Sequence, residues 1–148
     1  MAKTYTKLSY HIVFSTKERV PLITAEIRDR LYPYLGGVIR GEKGSLLEIG
    51  GIADHVHILA RFGAAAAVSE MVKRIKGNSS HWLSQELGVW FAWQLGYGAF
   101  TVSESQVAAV RKYIQHQEEH HKRVSFKDEL ISLLRKHRIE FDEDDLLE

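Results

Sequence analysis

Hydrophobic and polar residues alternate near the start of the chain. Leu8, Tyr10, Ile12 and Phe14 fall on one side, and Ser9, His11, Val13 and Ser15 on the other. That period of two predicts a half-buried strand. The period then lengthens. Thr24 is placed to cap a helix running to about Arg40, with Ile27, Leu31, Leu35 and Val38 on its buried side and a kink expected at Pro33. From Leu46 to Phe62 the pattern reads as two strand segments interrupted at Gly50-Gly51. In the second segment Val56, Ile58, Ala60 and Phe62 share the apolar face, while His55, His57 and Arg61 share the other. Residues 67–87 carry Val68, Met71, Val72, Ile75, Trp82 and Leu83 at helical spacing. Val89–Gln94 and Ala99–Val102 predict two strands around a Gly96-Tyr97-Gly98 turn. Ser103-x-x-Gln106 reads as a capping box opening the next helix. Ser125 starts a last helix bearing Phe126, Leu130, Leu133 and Leu134.

Antiparallel strands with helices packed on one face make a two-layer α+β domain, and the element order is compatible with a ferredoxin-like fold. At 148 residues one domain is expected over residues 1–139, followed by an acidic tail over 140–148. That tail hides a charge asymmetry. Six acids (Glu140, Asp142, Glu143, Asp144, Asp145 and Glu148) leave 20 basic against 13 acidic side chains over residues 1–139, a formal +7. The body is therefore basic enough to suit phosphate binding, and the tail reads as solvated. The chain has no cysteine, which excludes disulfides and thiolate metal sites and suits a reducing cytoplasm. No stretch approaches a membrane span, and no signal peptide is evident, so a cytoplasmic protein is expected.

Chemistry enters through two motifs. In Asp54-His55-Val56-His57, residues two apart on a strand point the same way, so two imidazoles aim at one place, as in a metal site. Asp54 points to the other face and reads as a turn or supporting group. In Tyr113-Ile114-Gln115-His116-Gln117, the tyrosine and Gln117 are four apart and share a helix face. A third metal ligand could come from Gln117, His116 or His120 on geometry alone.

His55-x-His57 followed by Tyr113-x-x-x-Gln117 resembles the HUH endonucleases. Within that class the chain is similar to the small single-tyrosine transposases of bacterial insertion sequences, and to their domesticated relatives associated with repetitive extragenic palindromes. The stretches His11–Arg19, Trp93–Phe100 and Glu118–His121 fit the same pattern, so the resemblance spans about residues 5–140. It implies a ferredoxin-like HUH catalytic domain that cleaves and rejoins single-stranded or hairpin DNA. Tyr113 would be the nucleophile and would form a covalent 5′-phosphotyrosine. His55, His57 and Gln117 would hold Mg²⁺ or Mn²⁺. The resemblance also implies a homodimer, in which Tyr113 could serve the partner's metal site.

Candidate DNA contacts are His11, Lys17, Arg19, Arg61, Lys73, Arg74 and Lys76. Trp90 and Trp93 read as core or dimer contacts. Three other functions compete: a domesticated nuclease acting on dispersed palindromes, a catalytically silent DNA-binding regulator, and a His-x-His hydrolase of small substrates. The intact His55, His57, Tyr113 and Gln117 set argues against the regulator. The hydrolase would need further ligands that the sequence does not place.

Overall fold

The computed structural model describes residues 2–147, with the Leu147 side chain excluded. Its core is β1 (Leu8–Ser15), α1 (Ala25–Gly41), β2 (Ser45–Ile52), β3 (His55–Phe62), α2 (Val68–Leu87) and β4 (Gly98–Val102). The strands form one antiparallel sheet in the order β2-β3-β1-β4. This is the split βαβ arrangement of a ferredoxin-like fold. Three further helices follow: α3 (Val107–Gln115), α4 (Gln117–His120) and α5 (Phe126–Lys136).

The alternation read from β1 decides which face is the core. Ile12 and Phe14 join Val56, Ile58 and Ala60 of β3 against Leu31, Leu35 and Ile39 of α1 and Met71, Val72 and Ile75 of α2. So α1 and α2 form the expected helical layer on one face. The structure adds helices on the opposite face, where Val13 and Phe100 pack with Phe126, Leu130 and Leu134 of α5. The histidine face of β3 is therefore covered rather than open.

Thr24 Oγ1 accepts from Ile27 N at 3.3 Å, and Ser125 Oγ accepts from Asp128 N at 3.1 Å, so both expected caps form. Other local expectations change. β2 runs straight through Gly50-Gly51, and the chain turns instead at Ala53-Asp54. Gly50 has a different use, because a Cβ there would meet the Ile114 carbonyl oxygen at 2.4 Å. Its missing side chain lets α3 lie directly on β2, where Arg111 donates to Leu47 O at 2.9 Å and Gln115 to Glu48 Oε2 at 2.9 Å. Gly51 has φ +154°, and a Cβ there would meet His55 O at 2.2 Å.

The Ser103 capping box does not form: its hydroxyl caps nothing, and a 3₁₀ turn over Glu104–Gln106 leads into α3. The predicted strand over Val89–Gln94 is an irregular segment, and its ladder pairing with the sheet is a bridge between Trp93 and Thr16. Phe91 and Trp93 are buried there and Trp90 is 67% exposed. The reason lies in α2. Trp93 Nε1 donates to Ser79 Oγ at 2.9 Å, and Lys76 Nζ donates to Gln94 O at 2.6 Å and Gly96 O at 3.0 Å. Side chains of the helix take up carbonyls that a strand partner would otherwise need. The acidic tail is not simply solvated either, since Phe141 and Leu146 pack against the α5 cluster. Glu148 lies outside the described residues.

Candidate active site

The site forms where the polar face of β3 meets the helices after β4. His55 and His57 are both fully buried and project from that face. Asp54 holds His55 in place, with Oδ1 2.7 Å from Nδ1. This fixes which ring nitrogen is free to point inward, as supporting carboxylates do for metal-ligating histidines. His57 is braced from behind by His11, whose Nε2 lies 2.7 Å from His57 Nδ1. His11 is only 4% exposed, a placement that suits a buttress of His57.

The helix expected to carry both Tyr113 and Gln117 breaks at His116, which has φ −104° and ψ 22°. The two side chains still converge. Gln117 Oε1 lies 3.0 Å from His55 Nε2. The Tyr113 hydroxyl donates to Glu129 Oε2, and Gln117 Nε2 donates to the same oxygen at 2.8 Å. Glu129 comes from α5 and is the centre of the arrangement. Its Oε1 lies 2.9 Å from His57 Nε2, 3.1 Å from His121 Nε2 and 3.5 Å from His55 Nε2. His121 also reaches Gln117 Oε1 at 3.0 Å. His120 Nε2 is 3.3 Å from Glu129 Oε2 but is not aligned for a hydrogen bond.

The sequence does not single out Glu129, and it brings in His121 only within the matching Glu118–His121 stretch. Glu129 lies between Phe126 and Leu130 in an amphipathic helix, where a charged residue normally faces water. The available signal was position: Glu129 lies three residues after Phe126 and so borders the buried stripe of α5.

Burial and charge set the electrostatics. Burial pushes the Glu129 carboxyl up, but hydrogen bonds from His121, His55 and His57 outweigh it and hold the group well below the usual carboxylate range. Burial pushes His55 down, yet its bonds to Asp54, Glu129 and Gln117 raise it to about 9. Burial dominates at His57, which falls to about 4, and at His11, which falls to about 3. Burial, and then the bond to the Glu129 carboxylate, push the Tyr113 phenol well above its normal range.

These residues fit a divalent cation. One ligand atom each from His55, His57, His121 and Glu129 lie within 4.8 Å of one another. A buried carboxylate among imidazoles, with an amide oxygen at the edge, is a mixed nitrogen and oxygen donor set of the kind such ions take.

The remaining candidates lie elsewhere. Arg61 sits at the far end of β3 from His55 and bonds Glu104 Oε2 at 3.0 Å. Arg74 pairs with Glu42. Lys76 is a structural clamp on the 94–96 segment, and burial lowers its pKa to about 8. With Lys73, these α2 residues stand across the sheet from the histidines, so the structure does not bring them to the site. Lys17 and Arg19 lie on a 3₁₀ turn just after Ser15, which pairs with His55, and so share the site's end of the sheet.

A sequence profile described as "Transposase IS200 like" matches residues 4–117. The chain is 28% identical over 118 residues to the ISDra2 transposase TnpA of Deinococcus radiodurans, covering 75% of this chain and 84% of that protein. It is 31% identical over 129 residues to the transposase for insertion sequence element IS200 of Salmonella typhimurium, covering 82% and 84%. A crystal structure from D. radiodurans, described as that of a candidate transposase, superposes with a TM-score of 0.61 at 28% identity, covering 79% of this chain and 98% of that one. The REP-associated tyrosine transposase bound to a REP hairpin shares the fold, with a TM-score of 0.64 at 15% identity over 84% of this chain and 74% of that one. The matched profile, covering most of the sequence, and the ferredoxin-like sheet that carries the histidine pair place this chain in the IS200-like transposase family.

Proposed function

We propose that this chain cleaves and rejoins single-stranded DNA through a covalent bond between Tyr113 and a 5′-phosphate. One observation carries the reading: the Tyr113 hydroxyl, the His55/His57 pair and Gln117 all converge on one buried carboxylate, Glu129, within a single chain. The Tyr113 oxygen attacks phosphorus, the P–O3′ bond breaks, and the strand is left with a 3′-hydroxyl. The phenolic proton leaves along the hydrogen bond to Glu129 and is passed on to the departing 3′ oxygen, so Glu129 ends the step as a carboxylate. Because one phosphodiester replaces another, the bond energy is kept and a second 3′-hydroxyl can reverse the step.

His55, His57 and Gln117, with Glu129 and His121 beside them, would hold the cation, and Mn²⁺ suits this imidazole-rich set better than Mg²⁺, which favours oxygen ligands. When bound, the cation polarises the scissile phosphate and stabilises the departing oxygen. Lys17 and Arg19 are candidate phosphate contacts. A hairpin is the natural form of the substrate, in line with the hairpin bound by the structural neighbour. The homodimer stays in the proposal as a scaffold, and exposed Trp90, Leu95 and Tyr97 are apolar side chains that an interface would cover. No active-site residue needs to come from a partner.

The test is a denaturing gel of protein incubated with labelled single-stranded DNA and Mn²⁺. A metal-dependent, denaturation-resistant adduct is expected from the wild type and none from Tyr113→Phe. An adduct that persists in Tyr113→Phe, or in excess chelator, refutes the assignment. Binding without any adduct would favour the silent regulator instead.

A further inference from the structure

A cleft of about 720 Å³ lies between β4, α3 and α5 and ends at Tyr113 and Glu129. We propose that it binds the base of the unpaired nucleotide next to the scissile phosphate, an inference that rests on the strand-transferase reading above. The cleft is within the size range of small-molecule pockets, with room for one nucleoside but not for a stacked, paired duplex. Its walls are largely apolar, with Phe100 from β4, Val110 from α3 and Leu133 from α5. They also offer a flat platform. The exposed His137 ring lies on Phe100 with centroids 4.4 Å apart and planes 23° from parallel. A base could add a third ring to that stack, a contact open to all four bases because each has a π face. Lys136 stands beside it on the rim, exposed and placed to meet a phosphate.

The position of a second cleft supports the same path. It measures about 360 Å³, shares Tyr113, His120 and Val124 with the first, and carries Arg123 and His116. The two clefts meet at the nucleophile. A strand with its phosphate at Tyr113 can therefore place one neighbouring nucleotide in the large cleft while its backbone leaves past Arg123. A paired base could not enter, so the cleft would itself select unpaired DNA at the cut.

The experiment begins with a randomised pool of single-stranded DNA and Mn²⁺, from which a strand cut by the wild-type protein is recovered and its cut phosphate mapped. Copies lacking the base on one side or the other of that phosphate are then compared with the intact strand. The wild type should lose at least tenfold in adduct rate when one of the two bases is removed. Ala109→Trp fills the cleft from an exposed position on α3. It should slow the intact strand at least tenfold and show no further loss with the abasic copy. His137→Ala should fall between these, and His137→Phe should restore the rate. Calorimetric Mn²⁺ affinity and circular dichroism should match the wild type in every variant, separating a lost base site from a damaged centre. Adduct formation indifferent to both flanking bases, or a full rate in Ala109→Trp, overturns the inference alone. No adduct from any strand in the pool overturns the strand-transferase reading and this inference with it.

Discussion

At the scale of single residues, Glu129 organises the site. One oxygen faces His57 and His121, and the other accepts from Tyr113 and Gln117. Glu129→Gln keeps the shape and removes the charge. Mn²⁺ affinity measured by calorimetry should fall on the order of 10–100-fold, the usual loss when a group supporting a metal site is removed. Unchanged affinity would mean that Gln117 supplies the oxygen ligand unaided. The raised His55 gives a pH signature. A group with folded pKa above its unfolded value near 6.5 contributes stability that is complete below 6.5 and is lost as pH rises through about 9. His57 and His11, lowered to about 4 and 3, work the other way, and their contribution is complete above 6.5 and lost as pH falls. Lys76, lowered to about 8, adds stability only above that value. The metal-free protein should therefore melt highest near pH 6.5 and less well at pH 5 and pH 8. A melting temperature that climbs steadily from pH 6.5 to 8 would contradict this. Mn²⁺ must also displace the His55 proton, so binding should tighten from pH 6.5 to 9 and release protons, seen as a buffer-dependent binding enthalpy.

At the scale of elements, the approach of α3 to β2 sets where Tyr113 stands. Gly50 permits it, and Arg111 and Gln115 fasten it. Gly50→Ala should force the helix away from the strand, costing about 1–3 kcal/mol in chemical denaturation, typical of overpacking. Adduct formation should fall further than stability alone explains, because the Ile114 carbonyl pushed aside adjoins Tyr113. A variant with wild-type stability and rate would show that β2 does not position the nucleophile. These elements were unevenly legible. α1, α2 and α5 carry their period in the sequence because each buries one stripe, and β1 and β3 carry theirs because one face packs apolar side chains while the other turns polar ones, the histidines among them, toward the site. The 89–94 segment has strand composition, but Lys76 of α2 takes up the Gln94 carbonyl and Ser79 anchors the Trp93 indole N–H, which hold the segment against the helix.

At the scale of the whole molecule, the site is assembled within one chain. Tyr113 on α3 reaches the cluster formed by β3, α4 and α5 of the same subunit. Mixing Tyr113→Phe protein with a His55→Ala/His57→Ala double mutant should therefore restore no adduct, even after confirmed subunit exchange, because neither chain holds both halves. Restored activity would demonstrate the exchanged arrangement that family resemblance allowed. Among the described residues, no helix is long and apolar enough to cross a membrane. The tail after residue 140 adds Phe141 and Leu146 to the cluster behind α5, so charge composition misjudged a segment whose two apolar side chains decide its place.

The sequence by itself determined the strand carrying His55 and His57, the α+β class and the family, while the single helix it predicts for Tyr113 and Gln117 is broken at His116. These depend on local periods and on residue types with few alternative uses. Only the tertiary structure decided that Glu129 and His121 complete the group, and that His11 braces His57 while Arg61 and Lys76 serve other bonds. It also decided which helices cover the histidine face. The reason is physical. Glu129 is 72 positions from His57 along the chain, yet their side chains lie 2.9 Å apart. Only the packing of α5 across the sheet makes that contact, and no period of two or 3.6 residues encodes it.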